Sequence, residues 1–121
     1  MVLSIKRIYA PISADDGERI FVDRLWARGI SKEKAKLTDW VKTIAPSTEV
    51  RQRFGHDPGG FPTFKQAYDT ELDENPQTPA FIERIKAGLG RGNVTLVYGA
   101  KDEQHNNAVV LLTYLQDHLT K

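Results

Sequence analysis

The spacing of apolar residues predicts three strands for which no alternative structure is indicated. Apolar and polar residues alternate from Leu3 to Lys6, which is typical of a strand, here near residues 2–9. A run of consecutive apolar residues predicts a strand covered on both faces near residues 19–25, and residues 94–98 have the clearest strand pattern of all. Because the link between the first two strands is too short for a helical crossover, a hairpin is the expected connection.

A fourth segment, residues 39–44, matches two patterns. It can contribute to one helical face, formed by Leu37, Trp40, Val41 and Ile44. It also fits a short strand that ends before Pro46, since the residue before a proline disfavours the helical conformation. The apolar pattern alone leaves both readings open.

Helices are predicted by apolar residues three or four positions apart and by capping residues at their starts. Ser31 and Ser47 are suited to cap two short helices, because a serine hydroxyl accepts from the first free N–H groups. Thr78-Pro79 marks the start of another, since proline at the first helical position loses no needed hydrogen bond. The longer apolar stripes are Phe64, Tyr68 and Leu72; Phe81, Ile82, Ile85 and Leu89; and Ala108, Leu111, Leu112, Leu115 and Leu119. Together these elements predict an α/β fold: a small mixed, mostly parallel sheet packed by helices, in a single domain over residues 1–121.

Composition narrows the class of protein. The 121 residues include no cysteine, which excludes disulfides, thiolate metal sites and a cysteine nucleophile. With 40% hydrophobic and 27% charged residues the balance is that of a globular chain. The apolar runs are far shorter than the ~20 residues that cross a bilayer, and the first residues do not resemble a signal peptide. We therefore expect no membrane association and a cytoplasmic location.

The charge balance disfavours broad binding to nucleic acid. Seventeen Lys and Arg residues against sixteen Asp and Glu residues give a net charge of +1, whereas a protein that neutralises many phosphates is usually more basic. A local anion site remains compatible with this balance. No phosphate-binding loop, dinucleotide fingerprint or catalytic elbow motif is present. The sequence leaves both the cofactor and the oligomeric state undetermined.

Two polar segments follow predicted strands, where open α/β sheets bind their ligands. The first carries Asp23, Arg24, Trp26 and Arg28, and the second, residues 98–107, carries Tyr98, Lys101, His105 and Asn106 at the start of the last helix. The free N–H groups and dipole of that helix favour an anion. We expect the arginines to hold the anion and the histidines, Asp23 or Tyr98 to transfer protons. His56 joins this set from a glycine-rich loop.

Each candidate also has a purely structural interpretation. In that interpretation Asp23 only forms an ion pair with Arg24 or Arg28, and Arg28 is equally suited to pair with Glu33 or Glu49. Trp26 and Tyr98 are as well suited to the core as to a ligand site, and His56 to a turn. A metal site formed by His56, Asp57, Asp102 and His105 has no supporting ligand spacing, so no metal is predicted.

The chain resembles the YeaO-like branch of the domain-of-unknown-function 488 family over nearly its whole length. The resemblance is carried by residues 16–33, 40–42, 45–47, 54–58, 96–98, 100–102, 105–106 and 108–111, with Arg51, Phe64 and Tyr68. It implies a strand at residues 39–44. Its members are uncharacterised, so it implies no activity. Other branches carry a cysteine–histidine–arginine cluster where this chain has residues 104–107, and thiol chemistry does not carry over.

Two functions follow from these observations. The first is an enzyme or binding protein for a small anionic ligand such as a nucleotide or sugar phosphate, held between the two polar segments. The alternative is a non-catalytic module that binds a protein or nucleic acid through the loop of Trp26 and Arg28. The residues leave open whether the protein is an enzyme.

Overall fold

A four-stranded parallel sheet forms the centre of the molecule. The computed structural model describes residues 1–54 and 58–119. Its strands are β1 (Leu3–Arg7), β2 (Glu18–Phe21), β3 (Asp39–Trp40) and β4 (Val94–Tyr98), in the spatial order β1-β4-β2-β3. Every pair within this sheet is parallel, with β4 in register with both β1 and β2. The predicted α/β class is confirmed.

The hairpin expected between the first two strands is wrong. β1 and β2 lie on opposite sides of β4 and run in the same direction, so they do not pair with each other. Residues 8–17 return along the sheet without an α-helix, containing only a 3₁₀ turn at Ala14–Asp16 that Ser13 caps. Extended chain spans ~3.3 Å per residue, which is enough for this link to pass a five-residue strand. A short link between two strands therefore does not require a hairpin when the strands themselves are short.

Five α-helices accompany the sheet in the described part of the chain. They are α1 (Lys32–Ala35), α2 (Thr48–Phe54), α3 (Phe61–Glu74), α4 (Thr78–Arg91) and α5 (Asn107–Leu119). Both predicted caps are confirmed, since Ser31 Oγ accepts from the Lys34 N–H and Ser47 Oγ accepts from the Val50 N–H. None of the described helices is long and apolar enough to cross a membrane.

Three of the strands are shorter than predicted, and the first of them, β1, covers Leu3–Arg7 instead of residues 2–9. Of residues 39–44 only Asp39–Trp40 form a strand, and a 3₁₀ turn follows at Lys42–Ile44. The second strand ends at Phe21, although the Val22 N–H still donates to the Val97 carbonyl. Both segments leave the sheet at its carboxyl edge, where their side chains are available for other contacts.

The core consists of two clusters on opposite faces of the sheet. Successive strand residues point to opposite faces, so Ile20 and Leu96 join the larger cluster, whereas Phe21 and Val97 join the smaller one. Residues of α2, α3, α4 and α5 complete the larger cluster, and Ala35 of α1 belongs to the smaller one. Both faces are covered, which explains why all five residues of β4 are buried.

Candidate functional site

A cleft of about 680 Å³ lies at the carboxyl ends of β2 and β4. Neighbouring parallel strands end at the same edge of a sheet, so the loops that follow β2 and β4 both border it. Residues 23–27 form one wall, and Gly99, Ala100 and residues 105–107 form the second. Helix α2 supplies the third wall. The structure thus brings the two polar segments singled out by sequence to one cleft.

Asp23 links these two segments directly. Its Oδ2 accepts a hydrogen bond from the Gly99 N–H at 3.0 Å, and its Oδ1 accepts one from Asn107 Nδ2 at 3.1 Å. A Cβ atom at Gly99 would lie only 3.1 Å from Asp23 Oδ2, so the absence of a side chain there permits the contact. Burial raises the pKa of Asp23, against the opposing influence of Asn107, Gly99 and the positive charge of Arg51.

Arg24 is held by the backbone that precedes α2. Its Nε donates to the Pro46 carbonyl and its Nη2 to the Ala45 carbonyl, both at 3.1 Å. None of the ion pairs found within residues 1–54 and 58–119 involves Asp23, so the ion pair considered between Asp23 and Arg24 or Arg28 is not formed there. Arg24 borders the cleft on one side and a smaller cavity of about 300 Å³ on the other.

Helix α2 contributes cleft residues that the sequence reasoning missed. Arg51 and Gln52 are exposed and line the cleft. Charged residues on the outer face of a short helix usually only contact solvent, so the sequence pattern gives no reason to select Arg51. The resemblance to the YeaO-like branch is the one signal that includes Arg51. Asn107 was also missed, although its amide donates to both Asp23 and the Val22 carbonyl.

His105 lies at the cleft wall where α5 begins. Its Nδ1 is 2.9 Å from Asp102 Oδ2, and its ring meets Phe61 edge-on at 5.1 Å between centroids. Hydrogen bonds from the Gln104 N–H, and from the His105 side chain and N–H, hold the pKa of Asp102 below its usual value. These contacts fix the orientation of the imidazole.

Asn106 and Trp26 line the cleft but are also engaged in the framework. Asn106 is buried, and its Oδ1 accepts from the Val109 N–H, which caps α5. Trp26 packs edge-on against Phe21 and donates from Nε1 to the Ile30 carbonyl at 2.8 Å. Both residues therefore have structural roles in addition to bordering the cleft.

Three further candidates, Tyr98, Arg28 and Lys101, do not line this cleft. Tyr98 is 2% exposed within the larger core cluster, and burial raises its pKa. Arg28 and Lys101 are exposed and lie outside the cleft lining. His56 and Asp57 fall outside the described residues. The part of the chain that the structure describes holds no group of three or more acidic or histidine side chains that could bind a metal.

Fold and cleft together place the chain among α/β proteins with a parallel sheet and a polar cleft at its carboxyl edge. The chain belongs to the DUF488-N3i family, described as the inactive DUF488-N3 subclade, whose model matches residues 2–121. It is 39% identical over 116 residues to the uncharacterized protein YeaO of Escherichia coli K12, covering 96% of this chain and 98% of YeaO. It is 34% identical over 111 residues to Rv3073c of Mycobacterium tuberculosis H37Rv, covering 92% and 91%. No solved structure matches the chain. The resemblance to the YeaO-like proteins is confirmed.

Proposed function

We propose that the cleft binds a small anionic ligand, a nucleotide or a sugar phosphate, and that the protein acts by binding it rather than by transforming it. The observation that carries the proposal is the presence of two arginines from separate elements, Arg24 and Arg51, on the walls of one cleft. Guanidinium groups present paired donors that match carboxylate and phosphate oxygens. A strand-end position is also where α/β sheets bind their ligands.

Arg51 is the stronger anion-binding candidate of the two. Among the described residues, no carboxylate lies within ion-pair distance of its guanidinium. Arg53, two positions along the same helix, is by contrast paired with Glu49 at 2.9 Å. A charged side chain that borders a cleft and has no carboxylate within ion-pair distance is available to a ligand of opposite charge.

The uncharged part of the cleft suits the organic portion of such a ligand. Phe54, Phe64 and Trp26 contribute to its lining alongside the polar groups. Ligand sites commonly combine apolar walls with a few polar groups that fix orientation. A volume of about 680 Å³ lies within the range of small-molecule sites.

Binding is favoured over catalysis by the positions of the candidate proton-transfer groups. Tyr98 is buried and is not part of the cleft lining, which leaves Asp23 and His105 as the described proton-transfer candidates there. The family is described as an inactive subclade, which agrees with a binding role. The alternative, a partner-binding module built on Trp26 and Arg28, draws less support because the Trp26 ring packs against Phe21 and its N–H is already bonded.

The test measures ligand binding with two arginine variants of one helix. Inorganic phosphate, nucleoside monophosphates and sugar phosphates are titrated into the wild type, Arg51→Gln and Arg53→Gln by calorimetry and thermal unfolding. We expect Arg51→Gln to weaken binding roughly 10-fold, since a hydrogen bond to a charged group contributes about 1.5–3 kcal/mol. Arg53→Gln, the matched control, leaves the affinity unchanged.

Two results would overturn the proposal. One is the absence of binding by any of these compounds to the wild type, and the other is an equal loss in both variants. Phosphorus NMR of the bound ligand over hours tests the non-catalytic part. A ligand that is converted by the wild type but not by His105→Gln would make the protein an enzyme with His105 in its site.

A further inference from the structure

Asp23 presents a carboxylate in a cleft proposed to hold an anion. Its side chain lines the cleft and is only partly exposed. Its described hydrogen-bond donors, the Gly99 N–H and the Asn107 amide, are both neutral. Arg24 is next to it in the chain, yet donates to the carbonyls of Ala45 and Pro46 instead. No described cation therefore lies within ion-pair distance of Asp23, although the charge of Arg51 acts on it from farther away.

The two hydrogen bonds do not use all the acceptor capacity of Asp23. A carboxylate has about four acceptor sites on its two oxygens, and each oxygen here receives one donor from the described residues. The bonds to Gly99 and Asn107 explain how the loop after β2 is joined to the loop after β4. They do not explain why a group with spare acceptor sites lies on the cleft wall.

A partly buried carboxylate is stabilised by further donors, because removal from water costs it hydration. The raised pKa of Asp23 has burial as its largest cause, in agreement with incomplete compensation by the protein. An anionic ligand that carried no donor would meet repulsion at this wall. A ligand with a hydroxyl group beside its anion would compensate Asp23 and be held by Arg51 at the same time.

Resting on the proposed function, we infer that Asp23 is a specificity-determining residue that selects anions bearing a hydroxyl group. The ligand class is a phosphate ester of a hydroxylated carbon skeleton, such as a sugar or polyol phosphate or the ribose phosphate of a nucleotide. Arg51 attracts the phosphate, and the carboxylate of Asp23 accepts a hydrogen bond that the hydroxyl group donates. Simple anions and alkyl phosphates are bound less tightly.

Two probes of equal carbon number test this selectivity on the wild type. Glycerol 1-phosphate and propyl phosphate differ only by two hydroxyl groups. We expect glycerol 1-phosphate to bind about 10-fold more tightly, in line with hydrogen bonds to a charged acceptor. In Asp23→Asn this preference falls to about 2-fold or less. Asp69→Asn, whose carboxylate pairs with Lys65 on α3 outside the cleft, retains the full preference.

Each outcome decides a separate claim. Equal affinity of the wild type for both probes, with Arg51→Gln weakening both, overturns the role of Asp23 and leaves the anion cleft intact. A preference that persists undiminished in Asp23→Asn also overturns it. Absence of binding by both probes and by sugar phosphates and nucleotides overturns the proposed function itself. If Asp23→Asn fails to fold, the comparison of probes on the wild type still decides.

Discussion

Asp16 shows how this chain stabilises a buried charge. It is 6% exposed, and it accepts hydrogen bonds from Lys6 Nζ at 2.6 Å and from Arg19 Nη1 at 2.7 Å. Burial by itself would raise the pKa of Asp16, but the hydrogen bonds from Lys6, the Ser13 N–H and Arg19 outweigh it, so the pKa is lowered. The same residue closes the link between β1 and β2, since its carbonyl accepts from Thr95 Oγ1 of β4.

We predict that Asp16→Asn lowers the free energy of unfolding by about 3–5 kcal/mol, because it leaves the buried Arg19 guanidinium without its counter-charge. The lowered pKa means that the unfolded state binds more protons in acid. The stability from Asp16 is therefore present above its unfolded pKa of about 3.9 and is lost as the pH falls through the folded pKa. Urea denaturation from pH 3 to pH 7 measures both effects.

Asp15→Asn is the matched control for this variant, because Asp15 is exposed and adjacent. It should keep the stability of the wild type and its decline in acid, whereas Asp16→Asn should show a weaker decline. Equal stabilities for the two variants at pH 7 would contradict the assigned role of Asp16.

At the scale of elements, the sequence predicted correctly those features that depend on contacts between residues close together in the chain. The caps at Ser31 and Ser47 are confirmed because a side chain bonds to N–H groups three residues away. The arrangement of β1 and β2 was not predictable in this way, since β4 lies between them and is remote in sequence. The same limit applies to the site. The contact between Asp23 and the loop after β4 could be expected, because neighbouring parallel strands end at the same edge of the sheet. The residues around Arg51 carry no local signal that this side chain borders the cleft.

Helix α4 packs closely against the sheet on one side. Substitutions of two of its glycines, Gly88 and Gly90, test this packing. A Cβ at Gly88 would be 2.9 Å from Val94 Cγ2 and from Glu18 Oε2, whereas a Cβ at Gly90 would meet nothing within 4 Å. We predict that Gly90→Ala raises the free energy of unfolding by about 0.5–1 kcal/mol through helix propensity. Gly88→Ala lowers it, because Val94 has to move. Urea denaturation compares the pair, and stabilisation by both substitutions would show that α4 is not packed tightly on β4.

On the scale of the whole molecule, the sheet joins segments that are far apart in the sequence. Ser4 of β1 lies beside Thr95 of β4, 91 positions along the sequence. Contacts between such distant residues require closure of long loops before they stabilise the fold, and this slows folding.

We therefore predict refolding in about milliseconds to seconds, by comparison with helical bundles that fold faster at similar size. Stopped-flow dilution from urea, followed by the fluorescence of Trp26 and Trp40 beside Phe21, measures the rate. Complete refolding within microseconds would contradict the dominance of these distant contacts.

The central place of β4 also has a consequence during translation. Of the three strand pairs, only the two-residue pairing of β2 with β3 can form before residues 94–98 leave the ribosome. Until then β1 has no strand beside it and β2 has only β3, so Ile20 and Phe21, which end in the core, lack their neighbours in β4. The nascent chain thus spends most of its synthesis with its future core accessible to chaperones, and the sheet assembles only once its latest strand arrives.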